Sequence, residues 1–166
     1  MRRPVAALLA LAATAMAGCG SSYAGHCPGV PLASFVLALT LDSTTCPTDQ
    51  VSTQPFAVTI TSDTASGAAW ACSGRRLSEP LVGTLSGDHL QQATATTGGG
   101  VFGACGASCA VAVTENLDGT LSRAPGGAIT GFTGTLTEDA SALEGSSCGT
   151  PSCVPCEVRY TVVSAP

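Results

Sequence analysis

Residues 111–137 read VAVTENLDGTLSRAPGGAITGFTGTLT, and the fold class turns on how this stretch is punctuated. Val111 and Val113 share one face of an extended segment, and Asn116-Leu117-Asp118-Gly119-Thr120 brings an Asp-Gly pair soon after it. Glycine accepts positive φ and aspartate tolerates it, as a two-residue hairpin turn requires, so the pair predicts a reversal into a second strand over Thr120–Arg123. Pro125-Gly126-Gly127 predicts the next reversal, into a strand over Ile129–Thr137. Strands joined by such short turns lie antiparallel.

Working outward, the same period of two recurs. Phe35, Leu37, Leu39 and Leu41 share one face; Phe56, Val58 and Ile60 share another, with Thr40, Thr59 and Thr61 among the alternate residues. Val158, Tyr160 and Val162 repeat the pattern, and Ala68–Cys72 and Leu81–Ser86 are shorter candidates between turn residues. Helix signals are thin. Only Glu138–Glu144 and Asp88–Ala95 suit a turn or two, too short for the crossovers of a parallel sheet. Gly-Thr-Leu recurs at Gly83, Gly119 and Gly134, but at unequal spacings, so it marks strand starts and not a structural repeat. The expectation is an all-β chain, an antiparallel sandwich or barrel of about eight strands.

The N-terminus carries an export signal. Arg2 and Arg3 precede Val5–Ala17, an uncharged run rich in Ala and Leu that is well short of the roughly 20 residues needed to span a bilayer. Ala15-Met16-Ala17 fits an ordinary secretory cleavage site, while Met16-Ala17-Gly18-Cys19 resembles the lipobox of bacterial lipoproteins. Cysteine parity separates the two. Cleavage after Ala17 leaves nine cysteines and one odd thiol in an oxidising compartment, whereas cleavage before Cys19 commits that sulfur to lipid and leaves eight. The resemblance implies a signal peptide over residues 1–18 and a diacylglyceryl thioether on Cys19, usually with a further acyl chain. It also implies an anchor in a bacterial envelope, the outer membrane being favoured because Gly20 and not Asp follows. Residues 19–26 are then the lipidated cysteine and a flexible tether, whose seven residues after Cys19 reach at most about 25 Å. Residues 27–166 form a single domain, and loss of Arg2 and Arg3 takes the formal charge from −5 to −7.

Cys27, Cys46, Cys72, Cys105, Cys109, Cys148, Cys153 and Cys156 are read as four disulfides, with 105 connectivities open. Proximity favours Cys27 with Cys46; the remaining three middle and three late cysteines then need at least one bridge between groups. Cys153-Val154-Pro155-Cys156 is a C-x-x-C, yet neither His26 nor His89 has paired ligand spacing and a strand, not a helix, follows it. Zinc and redox roles are therefore weaker than structural disulfides, and no metal or cofactor is expected.

Six arginines, no lysine and eleven acidic residues provide no cationic surface, which excludes nucleic acid as a partner. The absence of lysine excludes a P-loop. Gly98-Gly99-Gly100-Val101-Phe102-Gly103 matches a dinucleotide fingerprint by letters, but no helix follows, so it reads as a glycine loop. Gly145-Ser146-Ser147-Cys148-Gly149 matches a nucleophile elbow, but no histidine follows it and a disulfide cysteine sits inside it. Asp42, Asp49, Asp63, Asp88 and Asp118 sit in turn-like contexts, while Glu138 and Asp139, if on a strand, point to opposite faces. Trp70, Arg75 and Arg76 form a candidate binding surface if exposed; the competing reading packs Trp70 beside Cys72 and leaves the arginines solvated. The expectation is a lipid-anchored, non-catalytic binding or structural module that meets an envelope protein or glycan. The alternative is an envelope hydrolase built from loops around His89 and carboxylates.

Overall fold

The structure is a computed structural model that describes residues 27–73, 80–149 and 153–164. The expected signal segment, Cys19, the expected tether, Arg75 and Arg76 lie outside the described residues. Alternating apolar and polar side chains give eight strands: β1 (Val30–Thr44), β2 (Phe56–Ser62), β3 (Ala68–Cys72), β4 (Leu81–Ser86), β5 (His89–Val101), β6 (Ala110–Arg123), β7 (Ile129–Ala142) and β8 (Cys156–Ser164). Each pairs antiparallel with the next, and β8 returns to β1, so the sheet closes into a barrel. Of the two expected architectures, the barrel is the one formed.

Closure has a stagger. β1 pairs with β2 from Val30 to Leu37 and with β8 from Leu37 to Thr44, the half-strand offset that a closed sheet of tilted strands requires. Inward side chains fill the lumen, among them Leu37, Ile60, Leu81, Leu117, Phe132 and Tyr160, all buried. At eight strands the interior is just wide enough for side chains to pack across it.

Several local expectations are corrected. Asp118-Gly119 is not a hairpin turn: it lies inside β6, where Gly119 pairs with Gly134 of β7. A Cβ at Gly119 would fall 2.5 Å from Cζ of Phe132 and 2.6 Å from the Thr133 carbonyl oxygen. Glycine is there for close strand approach beneath an aromatic ring and not for a turn. The reversal at Pro125-Gly126-Gly127 does form, joining β6 to β7. Asp88–Ala95 and Glu138–Glu144 are not helical; most of each lies in β5 or β7, both long strands paired along β6, and tertiary pairing overrides weak local preference. Gly98-Gly99-Gly100 is the upper end of β5 with a register shift and not a loop. Eight strands result because two errors offset each other: Val111–Val113 and Thr120–Arg123 are one strand, and β5 is the added one.

The disulfides join Cys27 to Cys72, Cys46 to Cys156, Cys105 to Cys153, and Cys109 to Cys148. Cys27 does not pair with Cys46, because the fifteen residues of β1 stand between them and an extended strand of that length holds its ends roughly 50 Å apart. Cys46 instead follows Thr45, whose N–H donates to the Glu157 carbonyl at 2.8 Å across the β1–β8 seam. Both remaining bridges join the middle and late groups.

Candidate functional site

In an up-and-down barrel, successive connections alternate between ends. The turns after β2, β4 and β6, residues 63–67, 87–88 and 124–128, are short; the connections after β1, β3, β5 and β7, residues 45–55, 73–80, 102–109 and 143–155, are long. Three disulfides knit the long-loop end. Cys46–Cys156 ties the first loop to the start of β8, while Cys105–Cys153 and Cys109–Cys148 tie the third loop to the fourth. The first loop folds over the barrel: Val51 packs on the core, and the Ser52 N–H donates to the buried Tyr160 hydroxyl at 3.2 Å. Long loops on a rigid scaffold are where binding residues concentrate.

Carboxylates gather towards this end. Glu138 and Asp139 point to opposite faces, as a strand dictates. Glu138 pairs in register with Glu115, which is only 5% exposed and shares the inward phase of Leu117 and Leu121. Asp139 faces outward opposite Glu157 of β8. Around that outer pair lies a groove of about 320 Å³ lined by Thr45, Thr114, Asp139, Ser141, Pro155 and Glu157. Its floor is stiff, because Cys156 also lines it and is bonded to Cys46. The Glu157 N–H donates to Thr45 Oγ1 at 2.8 Å, which fixes that hydroxyl. Two carboxylates and three hydroxyls make a hydrogen-bonding surface of negative sign, suited to donors and cations. Arg159 Nε approaches Glu157 Oε1 only to 3.9 Å, with both side chains about half exposed, so the pairing does little to offset that sign.

The sequence-predicted residues are scattered. Trp70 lies on the outer face of β3, half-buried, with Gly29 against one edge of its ring, so it is not part of the lumen. It does stand near Cys72, on the outside of the barrel; whether Arg75 and Arg76 join it falls outside the described residues. His89 Nε2 is 3.1 Å from Asp118 Oδ1, with 41% and 46% of the side chains exposed on the convex wall near the short-turn end. The Ser146 hydroxyl donates to the Leu143 carbonyl at 2.7 Å and the Ser147 N–H to the Ser108 carbonyl at 3.2 Å, so the serine motif is a hydrogen-bonded loop. Cys153 and Cys156 belong to different disulfides and Cys148 to a third, which removes the thiolates that zinc or redox chemistry would need. Among the described residues no three His, Cys, Asp or Glu side chains converge as metal ligands.

Sequence reading missed the pairs Asp139–Glu157, Glu115–Glu138 and His89–Asp118. A cross-strand pair requires the register, which is not written locally. One signal was available: carried through Asp118-Gly119 without a turn, the period of two from Val111 to Leu121 puts Glu115 inside.

No family model, curated protein or solved structure matches this chain.

Proposed function

We propose that this protein is a non-catalytic module of a bacterial envelope, anchored through Cys19, which holds a partner in the groove beside its disulfide-knit loops. The observation that carries the reading is the Asp139–Glu157 pair, set on a floor crosslinked by Cys46–Cys156 and ringed by hydroxyls. Such a surface is preorganised, so binding costs little ordering of side chains. A protein presenting donors suits it better than a glycan, because none of the described lining residues is an aromatic on which a sugar could stack. The Gly20 that follows Cys19 favours placement in an outer membrane.

The test is crosslinking and capture from envelope fractions with oxidised, lipidated protein. Replacing Asp139 and Glu157 by Ala should weaken capture of a specific partner at least about tenfold, the loss expected for truncating binding hot spots, while His89→Ala leaves it unchanged. Capture that is indifferent to both carboxylates would remove the groove from the reading. The alternative, an envelope hydrolase, has one supporting contact, His89 to Asp118. It stands on a convex wall, and turnover unchanged in His89→Ala would dispose of it.

A further inference from the structure

The barrel wall has two unlike sides. The described residues of β2, β3, β4 and of β1 up to Leu41 include no charged side chain, and the outward positions are Val36, Ala57, Thr59, Trp70, Val82 and Thr84 among others. Val36 is 48% and Val82 51% exposed, and Trp70 sits opposite Val82 in the β3–β4 register. The opposite wall, β6 to β8, presents Asp118, Asp139, Glu157 and Arg159 outward.

The chain arrives on the uncharged side. Cys27 is bonded to Cys72 of β3, the Thr61 hydroxyl donates to the Pro28 carbonyl, and Gly29 lies against the Trp70 ring. Whatever holds Cys19 therefore pulls on this wall, through a tether whose seven residues span at most about 25 Å.

We infer that the wall of β2, β3, β4 and the first part of β1 is the face this barrel turns to the lipid surface. The inference rests on the lipid-anchored reading and adds an orientation to it. Bringing the charged wall to the bilayer would dehydrate the strand carboxylates Asp118, Asp139 and Glu157 and send the tether around the barrel; bringing the uncharged wall there does neither, Asp63 lying in the β2–β3 turn at the barrel's end. Valine and threonine side chains make a shallow contact at headgroup level, and a tryptophan there occupies the level that its amphipathic ring prefers. The contact is peripheral, the acyl chains supplying the affinity. In this pose the Asp139–Glu157 groove faces away from the membrane, open to a partner.

Trp70 is the sole tryptophan and a native reporter of its wall. Full-length protein from a lipidating host is placed on neutral phosphatidylcholine vesicles, its acyl mass on Cys19 is verified, and it is compared with soluble Cys19→Ser protein. Iodide quenching of Trp70 should fall at least about twofold on the vesicles, as expected for a ring drawn into the interface, while carbodiimide labelling of Asp139 and Glu157 keeps its rate. Undiminished quenching on verified lipoprotein, or protection of Asp139 and Glu157 instead, overturns the orientation and leaves the anchor standing. Absence of acyl mass on Cys19 removes the anchor reading itself and the orientation with it.

Discussion

At the scale of single residues, the tightest constraint is the Gly119–Gly134 pair. Because a Cβ on Gly119 would meet both the Phe132 ring and the Thr133 carbonyl, and backbone cannot step aside as a long side chain can, Gly119→Ala is overpacked by construction. It should lose about 1–3 kcal/mol, lowering the midpoint of thermal unfolding by roughly 2–10 °C. Gly126, in the β6–β7 turn, would carry a Cβ with nothing within 4 Å of it and has no positive φ, so Gly126→Ala should stay within about 0.5 kcal/mol of the parent. Equal melting of the two variants would show that β6 and β7 do not approach as closely as described. Asp63 offers a second residue-level test. The Ala65 N–H and the Ser66 hydroxyl both donate to its carboxylate, the former at 2.9 Å, and hold its pKa below the usual value, the backbone bond being the larger cause. A depressed carboxyl pKa contributes stability above the unfolded value near 3.9, and that contribution is lost as pH falls through the folded value. Asp63→Ala should therefore be less stable than the parent at neutral pH, with the gap narrowing as pH falls below the unfolded value near 3.9; denaturant melts from neutral to acid pH read this directly, and a constant gap would contradict it.

At the scale of elements, the strands were legible where one face is apolar and the other polar. β1, β2, β4 and β8 announce themselves through Leu37, Val58, Leu81 and Tyr160 with their alternating neighbours. β5 was hidden, because its glutamines, alanines and glycines carry little β preference and it is a strand by virtue of β6 beside it. The Asp-Gly pair misled for a related reason: the same residue that permits a turn also permits close packing, and only the partner strand decides which. Disulfide pairing follows from the same logic. Cys27 and Cys46 are neighbours in sequence but sit at the two ends of one strand, whereas Cys46 and Cys156 meet at a seam between strands 110 residues apart. Mapping of non-reduced peptides should recover Cys46 with Cys156 and Cys27 with Cys72, and a Cys27–Cys46 peptide would overturn the seam. Replacing Cys46 and Cys156 together by Ser releases the largest loop of the four and should cost about 4–5 kcal/mol by chain entropy, less any strain relieved.

At the scale of the whole molecule, closure is the difficult step. A meander can pair each strand with the next through local turns, but β1 meets β8 only after the entire chain is in place, so the seam is the contact with the highest entropic cost in sequence distance. The packed lumen rewards closure, since Leu37, Tyr160 and Val162 lose water only when the seam forms. Cys46–Cys156 then holds it from the long-loop end, while Cys27–Cys72 pins the arriving chain to the opposite side of the barrel from the groove. The same covalent frame that closes the barrel also sets the distance between the β2–β4 wall and the Asp139–Glu157 pair, so on the anchored, partner-holding reading proposed above stability and presentation depend on one set of bonds. Full reduction should lower the thermal midpoint by at least about 10 °C, since several bridges each contribute a few kcal/mol and each kcal/mol moves a domain of this size by about 2–4 °C. The loops at the knit end should loosen before the lumen opens, so partner capture at the groove should fail at lower reductant than the loss of the β-sheet far-ultraviolet circular dichroism. A reduced chain that melts where the oxidised one does would mean that core packing alone holds the barrel shut, and that the disulfides serve the loops only.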